Sequence, residues 1–236
     1  SGPLYVGGAS LVDAGAASIT LDNAGNDFVG PVELRGGAVV IADANALRLA
    51  AGSVGSLDAR SGGALELGGG NVTGNLTVSS GGVVTQTGAI SVGGTSMVDA
   101  GSNAITLDNA GNDFTGVVNL QGGAVAIADA NTLALGTVNA ASLDAHGNTG
   151  LDLGTSTISG NLVASTSGGA ITQSGALKVG GTSDIDAGAG AITLDNAGND
   201  FGGAVSLAGG VATIVDANGL VLGTLDLGGL SASAGG

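Results

Sequence analysis

The octapeptide Leu-Asp-Asn-Ala-Gly-Asn-Asp-Phe occurs three times, over 21–28, 107–114 and 194–201. The offsets between copies are 86 and 87 residues, and the match runs well past the octapeptide. Ala-Asp-Ala-Asn over 42–45 returns over 128–131, and Val-Asp-Ala-Asn stands over 215–218. Thr-Gln-Thr-Gly-Ala over 85–89 returns as Thr-Gln-Ser-Gly-Ala over 172–176. The 236 residues therefore hold two copies of one long unit, approximately 9–94 and 95–181, and a partial third over 182–236. A chain of near-identical copies joined without linkers must let each copy pack on the next, which is the logic of a solenoid.

The unit subdivides at Gly-rich turns. Cuts at these turns give 9–30, 31–50, 51–74 and 75–94 in the first copy, and the second copy divides in the same way. Segments of 20–24 residues match single solenoid coils. Within them the apolar signal has period two: Ile105 and Leu107 flank Thr106, Val125 and Ile127 flank Ala126, and Leu177 and Val179 flank Lys178. This alternation reads as short strands. Helix is disfavoured, because there are 49 glycines and each interior one costs a helix about 1 kcal/mol relative to alanine. Such short runs do not make a stable sheet alone. Wound into coils, each pairs with its equivalent above and below, while inward Val, Leu and Ile stack into one core. The expected fold is therefore all-β, a right-handed parallel β-helix, the hand following the general bias of parallel crossovers. It is expected to form a single domain over 1–236, with about ten coils and a four-coil super-repeat. Gly and Asn are expected to supply corners with positive φ. An antiparallel sandwich fits less well, since the four-segment pattern crosses the copy boundaries without a break.

Charge narrows the function classes. Nineteen acidic residues against four Lys and Arg give a net charge of −15. Nucleic-acid binding needs the opposite balance, and so does docking to an anionic membrane surface. No apolar run approaches the ~20 residues of a membrane span, so membrane insertion is not expected. The chain has no cysteine, which removes disulfide scaffolds and Cys-based metal sites. The one histidine, His146, does not build a usual zinc site by itself. Residues 1–4, Ser-Gly-Pro-Leu, do not begin a secretory signal. The chain reads as a piece of something larger, with more coils expected beyond both ends.

The octapeptide is the most conspicuous candidate site. One reading is a structural turn. In it Asp22, Asn23, Asn26 and Asp27 bond the local backbone, Gly25 takes the left-handed conformation, and Phe28 plugs the core. The same roles fall to Asp108, Asn109, Gly111, Asn112 and Phe114, and to Asp195, Asn196, Gly198, Asn199 and Phe201. The other reading is a calcium site with Asp22, Asp27, Asp108, Asp113, Asp195 and Asp200 as candidate ligands, because Ala-Gly-Asn-Asp-Phe-x-Gly is similar to part of the calcium-binding nonapeptide of RTX proteins. The turn is the preferred reading: no adjacent nonapeptide supplies a second half-site, and copies four coils apart lie about 19 Å from one another. No cofactor is expected. Asx-type turn bonding likewise accounts for Asp43, Asp129 and Asp216 and for Asp13, Asp99 and Asp186.

The recurring Ile-Thr-Leu-Asp-Asn-Ala-Gly-Asn-Asp-Phe over 105–114 and 192–201, Gly-Asn-Leu over 74–76 and 160–162, and Ile-Thr-Gln-Ser-Gly over 171–175 resemble the large exoproteins of the filamentous haemagglutinin type. The resemblance covers essentially the whole chain in style rather than through a diagnostic motif. It implies a β-helical shaft, secretion to the bacterial surface through an outer-membrane transporter of a two-partner system, and adhesion. Autotransporter passenger domains are the next most similar family. The resemblance carries over no catalytic residues.

Polysaccharide lyases and hydrolases also use this fold, but their carboxylates form one site, whereas here the acids recur with the repeat. The cations sit where other copies differ: Arg35 aligns with Gln121 and Ala208, Arg48 with Ala134 and Val221, Arg60 with His146, and Lys178 with Ser91. That pattern suits solvated strand faces, and no enzyme activity is expected. The aromatics are Tyr5, Phe28, Phe114 and Phe201, few for the platforms that glycan sites use. The expected function is a structural shaft of a secreted surface adhesin. The alternative is a lateral surface that binds a receptor, a glycan or another copy of the chain.

Overall fold

The computed structural model describes residues 2–235; Ser1 and Gly236, which the single-domain expectation includes, lie outside them. Among the described residues there is no helix, and every strand pairing is parallel. The chain winds into a β-solenoid of about twelve coils. Successive coils are as close in sequence as the 17 residues from Val118 to Leu135, and as far as the 22 from Ser10 to Val32.

Each coil has three sides, and each side is the rung of one aliphatic stack. The first stack climbs through Leu47, Leu65, Val84, Ile105, Val125, Leu143 and Leu162. A second runs through Val54, Val72, Val92 and Phe114 and resumes through Leu133, Leu151, Ile171 and Ile192. The third passes through Leu21, Ile41, Ala59, Val78, Val98, Leu120 and Val138. These side chains are almost all buried, because period-two alternation sends every second residue inward. Each fully buried Leu, Ile or Val contributes about 1.5–3 kcal/mol.

The coil count and length differ from the expected ten coils of 20–24 residues. The extra coils arise because some corners fall inside unbroken strands, at Gly36-Gly37, at Gly122-Gly123 and beside Gly136. The strands Val32–Asp43, Val118–Asp129 and Thr132–Gly147 bend from one side to the next without a loop. Cutting only at turns between strands therefore merges parts of neighbouring coils.

The super-repeat is not four coils. Ile19, Val39, Leu57, Leu76 and Ser96 stand directly over one another, so four coils above Ile19 take only 77 residues. Ser96 is the repeat equivalent of Ser10, not of Ile19. The remaining nine residues of the 86 carry the chain along one further side. The unit is thus thirteen sides, four and a third coils, and each copy is turned by a third of a revolution relative to the last. The phenylalanines show it. Phe114 tops the stack of Val54, Val72 and Val92. Phe201 stands over Val179, Ile158 and Ala140 on the Leu120 side. Phe28, over Val6, occupies the remaining side, that of the first stack.

Corners also depart from expectation. No residue other than glycine has positive φ among the described residues, so asparagine does not supply these corners. Gly25, Gly111 and Gly198 are not left-handed either. The left-handed positions that recur are Gly15, Gly101 and Gly188, at φ of 60°, 59° and 58°. Each follows an aspartate whose Oδ1 accepts the glycine N–H: Asp13, Asp99 and Asp186. Elsewhere glycine is required by close approach of coils. A Cβ on Gly116 would lie 2.3 Å from the Gly94 carbonyl oxygen, and one on Gly203 would lie 2.4 Å from that of Gly181.

Candidate functional site

The octapeptide builds a tight loop whose polar groups turn inward. Its first asparagine caps the turn: Gly25 N–H donates to Asn23 Oδ1, Gly111 to Asn109 Oδ1 and Gly198 to Asn196 Oδ1, each at 2.9 Å. This Asx bond shapes the turn without a left-handed backbone. The second asparagine is buried in all three copies, 1% exposed or less. Its Nδ2 donates back to the carbonyl that opens the loop, from Asn26 to Leu21, Asn112 to Leu107 and Asn199 to Leu194. Its Oδ1 accepts a backbone N–H from the coil below, that of Leu4, Ile90 or Leu177.

A glutamine completes this contact in two copies. Gln86 Nε2 donates to Asn112 Oδ1 at 2.8 Å and its Oε1 accepts from Asn112 Nδ2 at 2.9 Å. Gln173 and Asn199 form the same reciprocal pair at 2.7 and 2.8 Å. The position equivalent to Gln86 in the first copy precedes residue 1.

The coil above closes the loop from the other side. Asp43, Asp129 and Asp216 are 3% exposed or less. Their Oδ2 atoms accept the N–H of Phe28, Phe114 and Phe201 at 2.7, 2.7 and 2.9 Å. Their Oδ1 atoms accept from Asn45, Asn131 and Asn218 N–H. The octapeptide and the Asp-Ala-Asn motif are therefore one device, in which asparagine ties down to the coil below and aspartate ties up from the coil above. Burial pushes the Asp129 carboxyl above its ordinary range. The two N–H donors of Phe114 and Asn131 pull it back, and the nearby charge of Asp113 adds to the rise.

The Asp-Ala-Asn aspartates were expected to bond locally; their reach to the phenylalanine amide lies beyond that reading. The available signal was spacing, since Phe and Asp are 15 residues apart in all three copies. The glutamine–asparagine pair carried a similar signal, at 26 residues in both cases.

The candidate calcium ligands are not brought together. Asp22, Asp108 and Asp195 are exposed and make no hydrogen bond among the described residues, unlike the local bonding expected of Asp22. Asp27, Asp113 and Asp200 stand over Tyr5, Ser91 and Lys178, so no second carboxylate faces them from the coil below. Asp113 Oδ1 accepts from Asn131 Nδ2 at 3.3 Å. Successive copies also face different sides of the rod. No group of three or more His, Cys, Asp or Glu has metal-binding geometry among the described residues.

The arginines lie on outer strand faces, each with a carboxylate: Arg35 with Glu33, Arg48 with Glu66 and Arg60 with Asp58. More than half of each arginine side chain is exposed, so such pairs add little stability. One further recurrence is unexpected: the buried hydroxyls of Ser10, Ser96 and Ser183, equivalent in the three copies, have no hydrogen-bond partner among the described residues. A small apolar cavity of about 40 Å³ lies where Gly52 and Gly70 meet. The second copy has Val138 and Ser156 at the equivalent positions.

The family described as repeats of unknown function (DUF5649) matches residues 1–35, 55–121 and 139–208. The two internal gaps fall on equivalent stretches of the super-repeat. The matched stretches hold Asn26, Asn112 and Asn199 with their phenylalanines, while Asp43, Asp129 and Asp216 fall outside them. No curated protein and no solved structure matches the chain. With well over half of its residues matched, in stretches that recur with its own super-repeat, the chain belongs to the DUF5649 family of repeats.

Proposed function

We propose that this chain is a structural shaft: a segment of a secreted bacterial surface adhesin of the filamentous haemagglutinin style, carried outward through an outer-membrane transporter, that holds distal binding regions away from the cell. The observation that carries this reading is where the recurring polar residues are used. The buried asparagines and aspartates of every copy are consumed in joining one coil to the next. None of these groups is left to form a reactive cluster, and the reading assigns the chain no enzyme activity. Twelve coils at the parallel-strand spacing make a rod about 58 Å long, and its net charge of −15 keeps rods soluble and apart.

A second reading, lateral recognition of a receptor, glycan or another copy, draws on one patch. Met97, 54% exposed, stands beside Asp99, Asn119, Gln121 and Asn139 in a shallow outward groove. The amides offer paired donors and acceptors, and the thioether offers an adaptable apolar contact. Binding of the purified chain to bacterial and host cells and to a glycan panel separates the readings. The shaft reading predicts no saturable binding by the folded chain. Saturable, competable binding that is lost in Asn139→Ala would move the function to the lateral face.

A further inference from the structure

The three Asp-Ala-Asn turns are alike in structure and differ in the residue that follows. Asn45 precedes Ala46, Asn131 precedes Thr132, and Asn218 precedes Gly219. Asn218–Gly219 is the only Asn-Gly pair in the 236 residues. All three asparagines are exposed. Asn45 and Asn131 remain so with a further coil stacked over them, so exposure belongs to the turn. In each, the main-chain N–H is held by the preceding buried aspartate, for Asn218 by Asp216 Oδ1 at 2.7 Å. The side chains differ. Asn131 Nδ2 is tethered to Asp113 Oδ1, whereas the Asn45 and Asn218 carboxamides make no hydrogen bond among the described residues, so Asn218 alone joins a free carboxamide to a following glycine. Gly219 is exposed, outside any strand, and has no heavy atom within 4 Å of where a Cβ would stand.

We propose that Asn218 is a site of spontaneous covalent modification, at which the free carboxamide is converted to aspartate and isoaspartate. The Gly219 amide nitrogen attacks Asn218 Cγ, a C–N bond forms, and ammonia leaves with the amide proton, giving a five-membered succinimide. Water then opens the ring. Its hydroxyl adds to one of the two carbonyls, and the ring nitrogen regains a proton as its bond to that carbon breaks. Opening at the side-chain carbonyl gives aspartate; opening at the main-chain carbonyl gives isoaspartate. Glycine makes the attack possible because no Cβ obstructs the nitrogen's approach and the backbone is free to reach the required angle. Conversion takes the net charge from −15 to −16. In the isoaspartate product the side-chain methylene enters the main chain of the residue that Asp216 clasps, which loosens that one joint between coils while leaving the equivalent joints at Asp43 and Asp129 intact.

The test uses the whole chain, with Asn45 and Asn131 as controls in the same molecule. The folded protein is held at physiological temperature and mildly alkaline pH, and peptides are mapped by mass at intervals. The mass gain of about 1 Da per conversion should accumulate at Asn218 at least about tenfold faster than at Asn45 or Asn131, with isoaspartate identified by fragmentation. Gly219→Ala, which the open space accommodates, should slow Asn218 to the rate of Asn45 with circular dichroism unchanged. Equal rates at the three turns, or no slowing in Gly219→Ala, would overturn the proposal.

Discussion

At the scale of single residues, the buried aspartate of each Asp-Ala-Asn turn has the largest structural task. Asp129 accepts two main-chain N–H groups, that of Phe114 in a buried bond and that of Asn131 in a part-buried one. Asp129→Ala leaves the buried Phe114 N–H without its acceptor, at about 1–3 kcal/mol, and should lower the urea midpoint accordingly. The same carboxyl should leave a mark on the pH dependence. Because burial raises its folded pKa, the native state binds its proton at a higher pH than the unfolded chain does. Within the window that opens just above the ordinary value of about 3.9, the Asp129 contribution therefore grows as pH falls and declines as pH rises. Asp129→Asn, which does not titrate, should flatten the stability profile in that window; superimposable profiles of the two proteins would contradict this. Ser96 offers the opposite case. Its hydroxyl is buried without a partner among the described residues, so Ser96→Ala removes an unsatisfied group and should raise stability by roughly 1 kcal/mol, measured in the same titration.

At the scale of strands and corners, two kinds of glycine separate cleanly. Gly15 has positive φ and open space around it, whereas Gly116 has ordinary φ and a carbonyl of the next coil where its Cβ would stand. Gly15→Ala should cost about 1–2 kcal/mol from backbone conformation alone, and Gly116→Ala about 1–3 kcal/mol from coil separation. Thermal melts of the two variants check both values, and the crowded site alone should also lose protection of neighbouring amides against hydrogen exchange. The strands themselves were legible in the sequence. Ile105, Thr106 and Leu107 alternate as a strand must, and they form one. The corners were less legible. Gly25 and Gly111 sit in an obvious turn, yet an Asx bond, not left-handed backbone, shapes it. The bend within Thr132–Gly147 falls inside an unbroken strand, with a lone Gly136 where the ladder to Val118 and Leu120 shifts register. The candidate site was half legible: each motif stood out as a repeat, but their mutual contact depends on which coil lies above which. Short alternating runs do not determine that stacking.

At the scale of the whole molecule, the thirteen-side repeat governs what the rod presents. Had the unit been four coils, every octapeptide would face one direction and form a stripe. Turned by a third of a revolution per copy, the loops wind around the rod, and no side accumulates them. Acidic charge is also spread unevenly: all three arginine–carboxylate pairs lie within the first 66 residues, leaving Lys178 as the one Lys or Arg beyond them. Repulsion between rods should therefore be strongest along the later coils and fall with added salt. The winding is tested most directly by distances between spin labels, which the absence of native cysteine makes simple to place. Thr20 and Met97 stand on one side, linked through Val40, Asp58 and Thr77, and are not repeat equivalents. Thr20 and Thr106 are repeat equivalents on different sides. Labels on Thr20→Cys with Met97→Cys should report a separation close to four coil rises, about 19 Å, and labels on Thr20→Cys with Thr106→Cys a clearly longer one. A shorter distance for the repeat-equivalent pair would contradict the thirteen-side winding and restore a stripe of octapeptides along a single face.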